Sequence, residues 1–171
     1  KWLQALPPEE QEQAYEQRIE REVSEVAGLI DSWEVVNEPT GWSITCGPAG
    51  AGALEAWNRR CGPVEVIRRA HDAARSADPD VEIILNECKE DEAFRRILGD
   101  CLDRGVPIDG IGIQHHAIEG LTAPEKLAEM LDSFAAFGKP LHITEIMIPS
   151  GSDELRRSFG EDIFTPDGSI D

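Results

Sequence analysis

The stretch SWEVVNEPTGW, Ser32 to Trp42, decides how the chain is read. Its β-prone run from Trp33 to Val36 ends in an amide and a carboxylate, Asn37 and Glu38. Pro39 then removes the backbone donor that a continuing strand needs. A strand that reads as buried and finishes on two polar side chains presents them at its tip. Such a tip gains chemical meaning only where a second one meets it.

Working outward, three more apolar runs end in polar residues. VEIILNE closes on Asn86 and Glu87, IDGIGIQHHA carries Gln114, His115 and His116, and LHITEIMI carries Thr144 and Glu145. Helical stripes separate these runs. Pro7 and Pro8 open a helix whose apolar positions Tyr15, Ile19, Val23, Val26 and Ile30 recur at three and four residues. After Gly62-Pro63 a second stripe runs through Val64, Ile67, Ala70, Ala74 and Ala77. A third runs from Phe94 to Leu102, and a fourth from Leu127 to Phe137, stopped by Gly138-Lys139-Pro140. The segment from Pro39 to Gly52 reads as a Gly- and Pro-rich loop. Residues 149–171 read as a polar tail with a short helical pattern at Asp153 to Phe159.

Strands and helices alternating over short connections predict βαβ units and a parallel sheet. Gly110, Gly112, Gln114 and His116 share one face of their strand by two-residue alternation. Two glycines leave that face bare, which favours a crowded barrel interior over an open doubly wound sheet. The predicted fold is therefore α/β, a (β/α)8 TIM barrel present only in part, with residues 1–171 forming a single partial domain. The C-terminal strand ends of such barrels form the active-site face, so the polar tips would converge there.

Composition narrows the chemistry. Acidic residues number 34 against 16 basic ones, for a net charge of −18, which argues against nucleic acid or an anionic membrane as partner. No segment reaches the ~18–20 consecutive apolar residues of a membrane span, and KWLQALPP shows no signal-peptide pattern. The four cysteines form no C-x-x-C pair and no zinc spacing with His71, His115, His116 or His142, so no metal is expected. They read as free thiols, with Cys46–Cys61 as the alternative pairing. Gly-rich phosphate loops and a serine nucleophile elbow are absent.

What remains is a pair of glutamates at separate strand ends with an imidazole between them in sequence. That pair suits glycoside hydrolysis, in which one carboxylic acid protonates the leaving oxygen while the other carboxylate attacks the anomeric carbon or activates water. Glu38, beside Trp33 and Asn37 in an apolar-leaning strand, is expected to stay protonated while Glu145 is ionised. His116 would orient Glu145 if the third and fourth strands are neighbours. Trp42 and Trp57 fit sugar stacking and plain packing equally well, and neither is assigned.

WEVVNEP, IDGIGIQHH and HITEI, in this order, resemble glycoside hydrolase family 10, the retaining endo-β-1,4-xylanases. VEIILNE looks like that family's fifth strand, and Trp2-Leu3 followed by helix is similar to the segment after its third. The resemblance covers the chain to about Ile148 and implies strands four to seven of a barrel that typically takes ~250 residues. It implies Glu38 as general acid/base, Glu145 as nucleophile, Asn37 on the sugar 2-hydroxyl, and Gln114 and His116 lining the cleaving subsite. It further implies no cofactor, a polysaccharide or oligosaccharide substrate with xylan first, and an extracellular setting.

Three positions depart from the family pattern. Met147 stands where an aspartate supports the histidine, Glu34 replaces an aspartate, and Cys88 replaces a sugar-contacting aromatic. These departures and the missing strands motivate two rival readings. One is a catalytically inactive or incomplete glycan-binding remnant, and the other is the same chemistry on a β-glucan. Open strand edges also predict self-association.

Overall fold

The structure, a computed structural model, describes residues 3–41, 52–116 and 122–147. Trp42, the Cys46 end of the proposed Cys46–Cys61 pairing and the 149–171 tail lie outside the described residues. A 3-10 turn, Leu3–Ala5, precedes α1 (Pro8–Glu25), β1 (Ser32–Asn37), α2 (Gly52–Cys61) and α3 (Pro63–Ala77). Next come β2 (Glu82–Glu87), α4 (Glu92–Asp103), β3 (Gly110–His116), α5 (Pro124–Ala135) and β4 (Leu141–Met147).

The strands form one sheet in chain order, β1-β2-β3-β4, with every neighbouring pair parallel. This is the βαβ series that the alternating stripes predict. Local chemistry sets the helix ends. Proline occupies the first turn of α1, α3 and α5, where its missing N–H has no helical partner to lose. Asp91 caps α4 by accepting from the Ala93 and Phe94 N–H groups.

The helix-covered face of the sheet holds the core. Ile83, Leu85, Ile111 and Ile113 are fully buried there, together with Ile67, Ala70, Phe94, Leu98 and Phe134 from α3, α4 and α5. The opposite face is mostly polar and carries Glu34, Asn86, His142 and Thr144 around the buried Ile84. It closes tightly over β3, because a Cβ on Gly110 would lie 2.8 Å from His142 Nε2 and one on Gly112 would lie 2.6 Å from Asn86 Oδ1. The bare face expected of the third strand is therefore filled by its neighbours' side chains.

One reading needs correction, one helix went unread, and the role of Trp57 is decided. Helix α1 ends at Glu25, so Ile30, 40% exposed, does not continue its apolar stripe. Residues 52–61 form α2, a helix that the sequence pattern left unassigned. Its apolar contacts, Leu54 and Trp57, lie a single turn apart, too short a run to stand out beside the Gly- and Pro-rich loop. Trp57 is buried, edge-on to Tyr15 at 5.7 Å and beneath the Arg69 guanidinium at 4.8 Å, so it packs.

Two irregularities position the site. In β1, Glu34 pairs with Ile84 and Val36 with Leu85, leaving Val35 as an extra residue. In β4, Ile143 pairs with Ile113 and Glu145 with Gln114, leaving Thr144 as the extra one. Each bulge shifts the face on which later side chains emerge.

Candidate functional site

Asn37 emerges on the polar face because of the first bulge. Strict alternation from Glu34 would have turned Val36 inward instead, and Val36 lies in the core. Glu38 follows in the left-handed region at φ 51°, which no other non-glycine residue among the described residues adopts. That conformation costs a residue with a Cβ on the order of 1 kcal/mol, and surrounding bonds hold it. The Glu38 N–H donates to Asn86 O at 2.9 Å, and Gly41 N–H donates to Glu38 O at 3.0 Å, closing a turn with Pro39 at its second position. The buried Glu87 carboxylate steadies the same turn, accepting from the N–H groups of Thr40, Cys88 and Lys89.

Gln114, buried on β3, reaches across to this tip. Its Nε2 donates to Asn37 Oδ1 and to Glu38 Oε1, each at 3.1 Å. Two residues on, His116 Nε2 lies 3.4 Å from Glu145 Oε2. One face of β3 thus carries a partner for each glutamate. The structure brings Asn37, Glu38 and Gln114 into one hydrogen-bonded group and His116 and Glu145 into another beside it.

Trp33 does not belong to this group. It packs on the helix side against the cluster of Val23, Ala74, Val81 and Ile83, so it does not flank the Glu38 carboxyl. His115 also points elsewhere, with Nδ1 2.9 Å from Glu90 Oε1 in the loop after β2. The Cys88 thiol is pushed up to about 11 by partial burial, with the Glu38 and Glu87 charges adding to it, and is therefore neutral. Among the described residues no cluster of His, Cys, Asp or Glu has the arrangement of a metal site.

Sequence reasoning missed the group beneath the two glutamates. Asn86 is fully buried, and its Nδ2 donates to Glu34 Oε2 at 3.0 Å and Asn37 Oδ1 at 2.9 Å. Its Oδ1 accepts from Thr144 Oγ1 at 2.6 Å. The Glu34 carboxyl is raised above its ordinary range, first by partial desolvation and then by the nearby Glu145 charge, against the Asn86 amide. Asn86 was visible as a polar strand end, but nothing in strict alternation would pair it with Thr144.

Residues 1–161 match Glycosyl hydrolase family 10. The chain belongs to that family. Among family 10 relatives, it is 32% identical over 153 residues to endo-1,4-beta-xylanase B of Thermotoga neapolitana, covering 85% of this chain and 42% of that protein. It is 29% identical over 152 residues to a beta-1,4-xylanase of Dictyoglomus thermophilum, covering 86% and 42%. Native xylanase 10B from Thermotoga maritima superposes with a TM-score of 0.66 at 29% identity, over 90% of this chain and 48% of that one. A xylanase A mutant from P fluorescens subsp. cellulosa, in complex with xylopentaose, gives 0.64 at 25% identity, over 82% and 45%. The chain therefore spans less than half the length of these family 10 proteins. Its α/β architecture is part of a (β/α)8 barrel, with four parallel strands and their helices.

Proposed function

We propose that this chain supplies strands four to seven of a retaining endo-β-1,4-xylanase barrel, and with them both catalytic carboxylates. The observation that carries the proposal is the shared support on β3. Gln114 bonds the Glu38 carboxyl and His116 faces the Glu145 carboxyl, from one face of one strand. On this reading Glu145 attacks the anomeric carbon while Glu38 gives its proton to the departing glycosidic oxygen. A covalent glycosyl-enzyme forms, and Glu38 then takes a proton from the water that releases it. Asn37, its amide fixed by Asn86 and Gln114, hydrogen-bonds the sugar 2-hydroxyl. Gln114 and His116 line the cleaving subsite. No cofactor takes part. The substrate is a β-1,4-linked glycan, xylan first, met outside the cell where that polymer lies.

The test is an activated 2-fluoro-xylobioside followed by intact-mass spectrometry. The parent protein is expected to gain one glycosyl unit and Glu145→Ala none. A Glu145→Ala protein that still acquires the unit would sink the nucleophile assignment.

A second reading, an inactive glycan-binding remnant, has its own observation. His116 Nδ1 is buried without a hydrogen-bond partner among the described residues, and Met147 is its register partner on β4. Binding of xylo-oligosaccharide unchanged by Glu38→Gln, with no labelling of the parent, would favour that reading over the enzyme.

A further inference from the structure

The buried bond between Asn86 and Thr144 passes over a strand. Asn86 lies on β2 and Thr144 on β4, with β3 between them in the sheet. The two side chains meet because β3 has a glycine at the crossing point. A Cβ on Gly112 would stand 2.6 Å from Asn86 Oδ1 and 3.0 Å from Thr144 Cγ2, so any side chain there would occupy the line of the bond. Thr144 is also the extra residue of the β4 bulge, and its hydroxyl lies 3.3 Å from Ile113 O as well as 2.6 Å from Asn86 Oδ1. The next residue is Glu145. At its other end Asn86 holds Asn37, the neighbour of Glu38, and its main-chain oxygen accepts the Glu38 N–H.

We propose that Thr144 and Asn86 are positioning residues that set the two glutamates relative to each other, through a hydrogen bond across Gly112. The inference rests on the functional reading above for its catalytic consequence, and on geometry alone for its structural one. Asn86 has one amide with three partners on two other strands. Its Nδ2 faces Glu34 and Asn37, both acceptors, and this orientation turns Oδ1 toward the Thr144 hydroxyl. The bulge is fixed at its extra residue, so the backbone leaves Thr144 with Glu145 on the Gln114 and His116 side. A free hydroxyl would leave the bulge able to relax, and Glu145 would lose its aim before it lost its fold. The bond thus acts on Glu145 through the backbone without touching substrate.

The discriminating pair is Thr144→Val, which keeps the shape and removes the hydroxyl, and Thr144→Ser, which restores it. Both are compared with the parent on an aryl β-xylobioside, with thermal unfolding recorded alongside. Thr144→Val is expected to lower kcat about tenfold to a hundredfold with KM within about twofold, because a misaligned attacking group slows chemistry more than binding. Thr144→Ser is expected to recover to within about threefold of the parent. A Thr144→Val protein with parental kcat, or a Thr144→Ser protein as slow as Thr144→Val, overturns the inference.

If the parent itself turns over no aryl glycoside, the hydrolase reading fails, and the positioning role is decided by nuclear magnetic resonance. The His116 imidazole reports on Glu145 through their 3.4 Å contact. Its ring nitrogen resonances, read at one pH, are expected to shift in Thr144→Val and return in Thr144→Ser. Resonances that stay put in Thr144→Val overturn the inference without reference to turnover.

Discussion

At the scale of single residues, the site is organised by what is left out as much as by what is present. Gly112 contributes no side chain, and three neighbours converge on the space that a Cβ would fill: Asn86 Oδ1 at 2.6 Å, with Ile84 Cγ2 and Thr144 Cγ2 at 3.0 Å. None of the three is the free end of a long flexible chain, so none can yield cheaply. Gly112→Ala is therefore expected to destabilise the fold by about 1–3 kcal/mol, the usual cost of overpacking a close-fitted interior. Urea unfolding monitored by tryptophan fluorescence measures it. An unchanged midpoint would show that the Asn86–Thr144 crossing has slack, and would weaken the positioning argument with it. Glu38 carries the opposite kind of constraint, a side chain where the backbone conformation prefers none. Its left-handed φ survives because its N–H, its carbonyl and its carboxyl are each held by a separate partner.

At the scale of elements, the helices and strands were legible because each obeys a simple period. The stripe through Val64, Ile67, Ala70, Ala74 and Ala77 predicted α3, and the first four are buried while Ala77 is partly so. The even alternation of Gly110, Gly112, Gln114 and His116 predicted one shared face, and their contacts lie on it. Of the candidate site, the strand ends were legible. Asn37, Glu38, Asn86, Gln114, His116, Thr144 and Glu145 stood out as polar tips, whereas the bonds that join Glu34, Asn86 and Thr144 beneath the two glutamates did not. Two bulges explain the gap, since Val35 and Thr144 each break the period of two and re-aim the side chains beyond them. A period says where side chains point until a residue is inserted, and sequence carries no mark of the insertion. One further buried polar contact ties elements together. His71 on α3 lies fully buried, its Nδ1–H donating to Pro107 O just before β3 at 3.0 Å. Burial lowers its pKa to about 4, so it is neutral in the folded chain. Unfolding releases it toward its ordinary value near 6.5, so between those values the unfolded chain binds more protons. The associated stability is present above about pH 6.5 and is lost as the pH falls toward 4, to a limit of about 3 kcal/mol. His71→Asn retains a donor near Nδ1 and removes the titration. Its stability is expected to fall less than the parent's between pH 6.5 and 4, with a parallel fall in both proteins as the contrary result.

At the scale of the whole molecule, the sheet is covered on one face and unfinished at both edges. Among the described residues β1 pairs only with β2, and β4 only with β3. Unpaired edges offer rows of backbone donors and acceptors to any other strand. The β4 edge is also apolar, with Ile143 48% and Ile146 62% exposed. Against this stands a net charge of −18, which repels a second copy at long range. The two terms differ in reach. Salt screens the repulsion within about 8–10 Å at 0.1–0.15 M, while pairing of edges acts at contact and is little screened. The chain is therefore expected to self-associate, and to do so more strongly as sodium chloride is raised from 10 to 150 mM. Ile146→Lys separates the causes, because it changes the charge from −18 to −17 and so eases repulsion while placing an ammonium on the edge. If edge pairing drives association, this variant is expected to dissociate about tenfold more readily, a loss of about 1.4 kcal/mol. Sedimentation velocity over a range of concentrations reads both effects. A parent chain that stays monomeric at every concentration and salt would show that its edges are protected, and a variant that associates more tightly would show that charge, not the β4 edge, governs the contact.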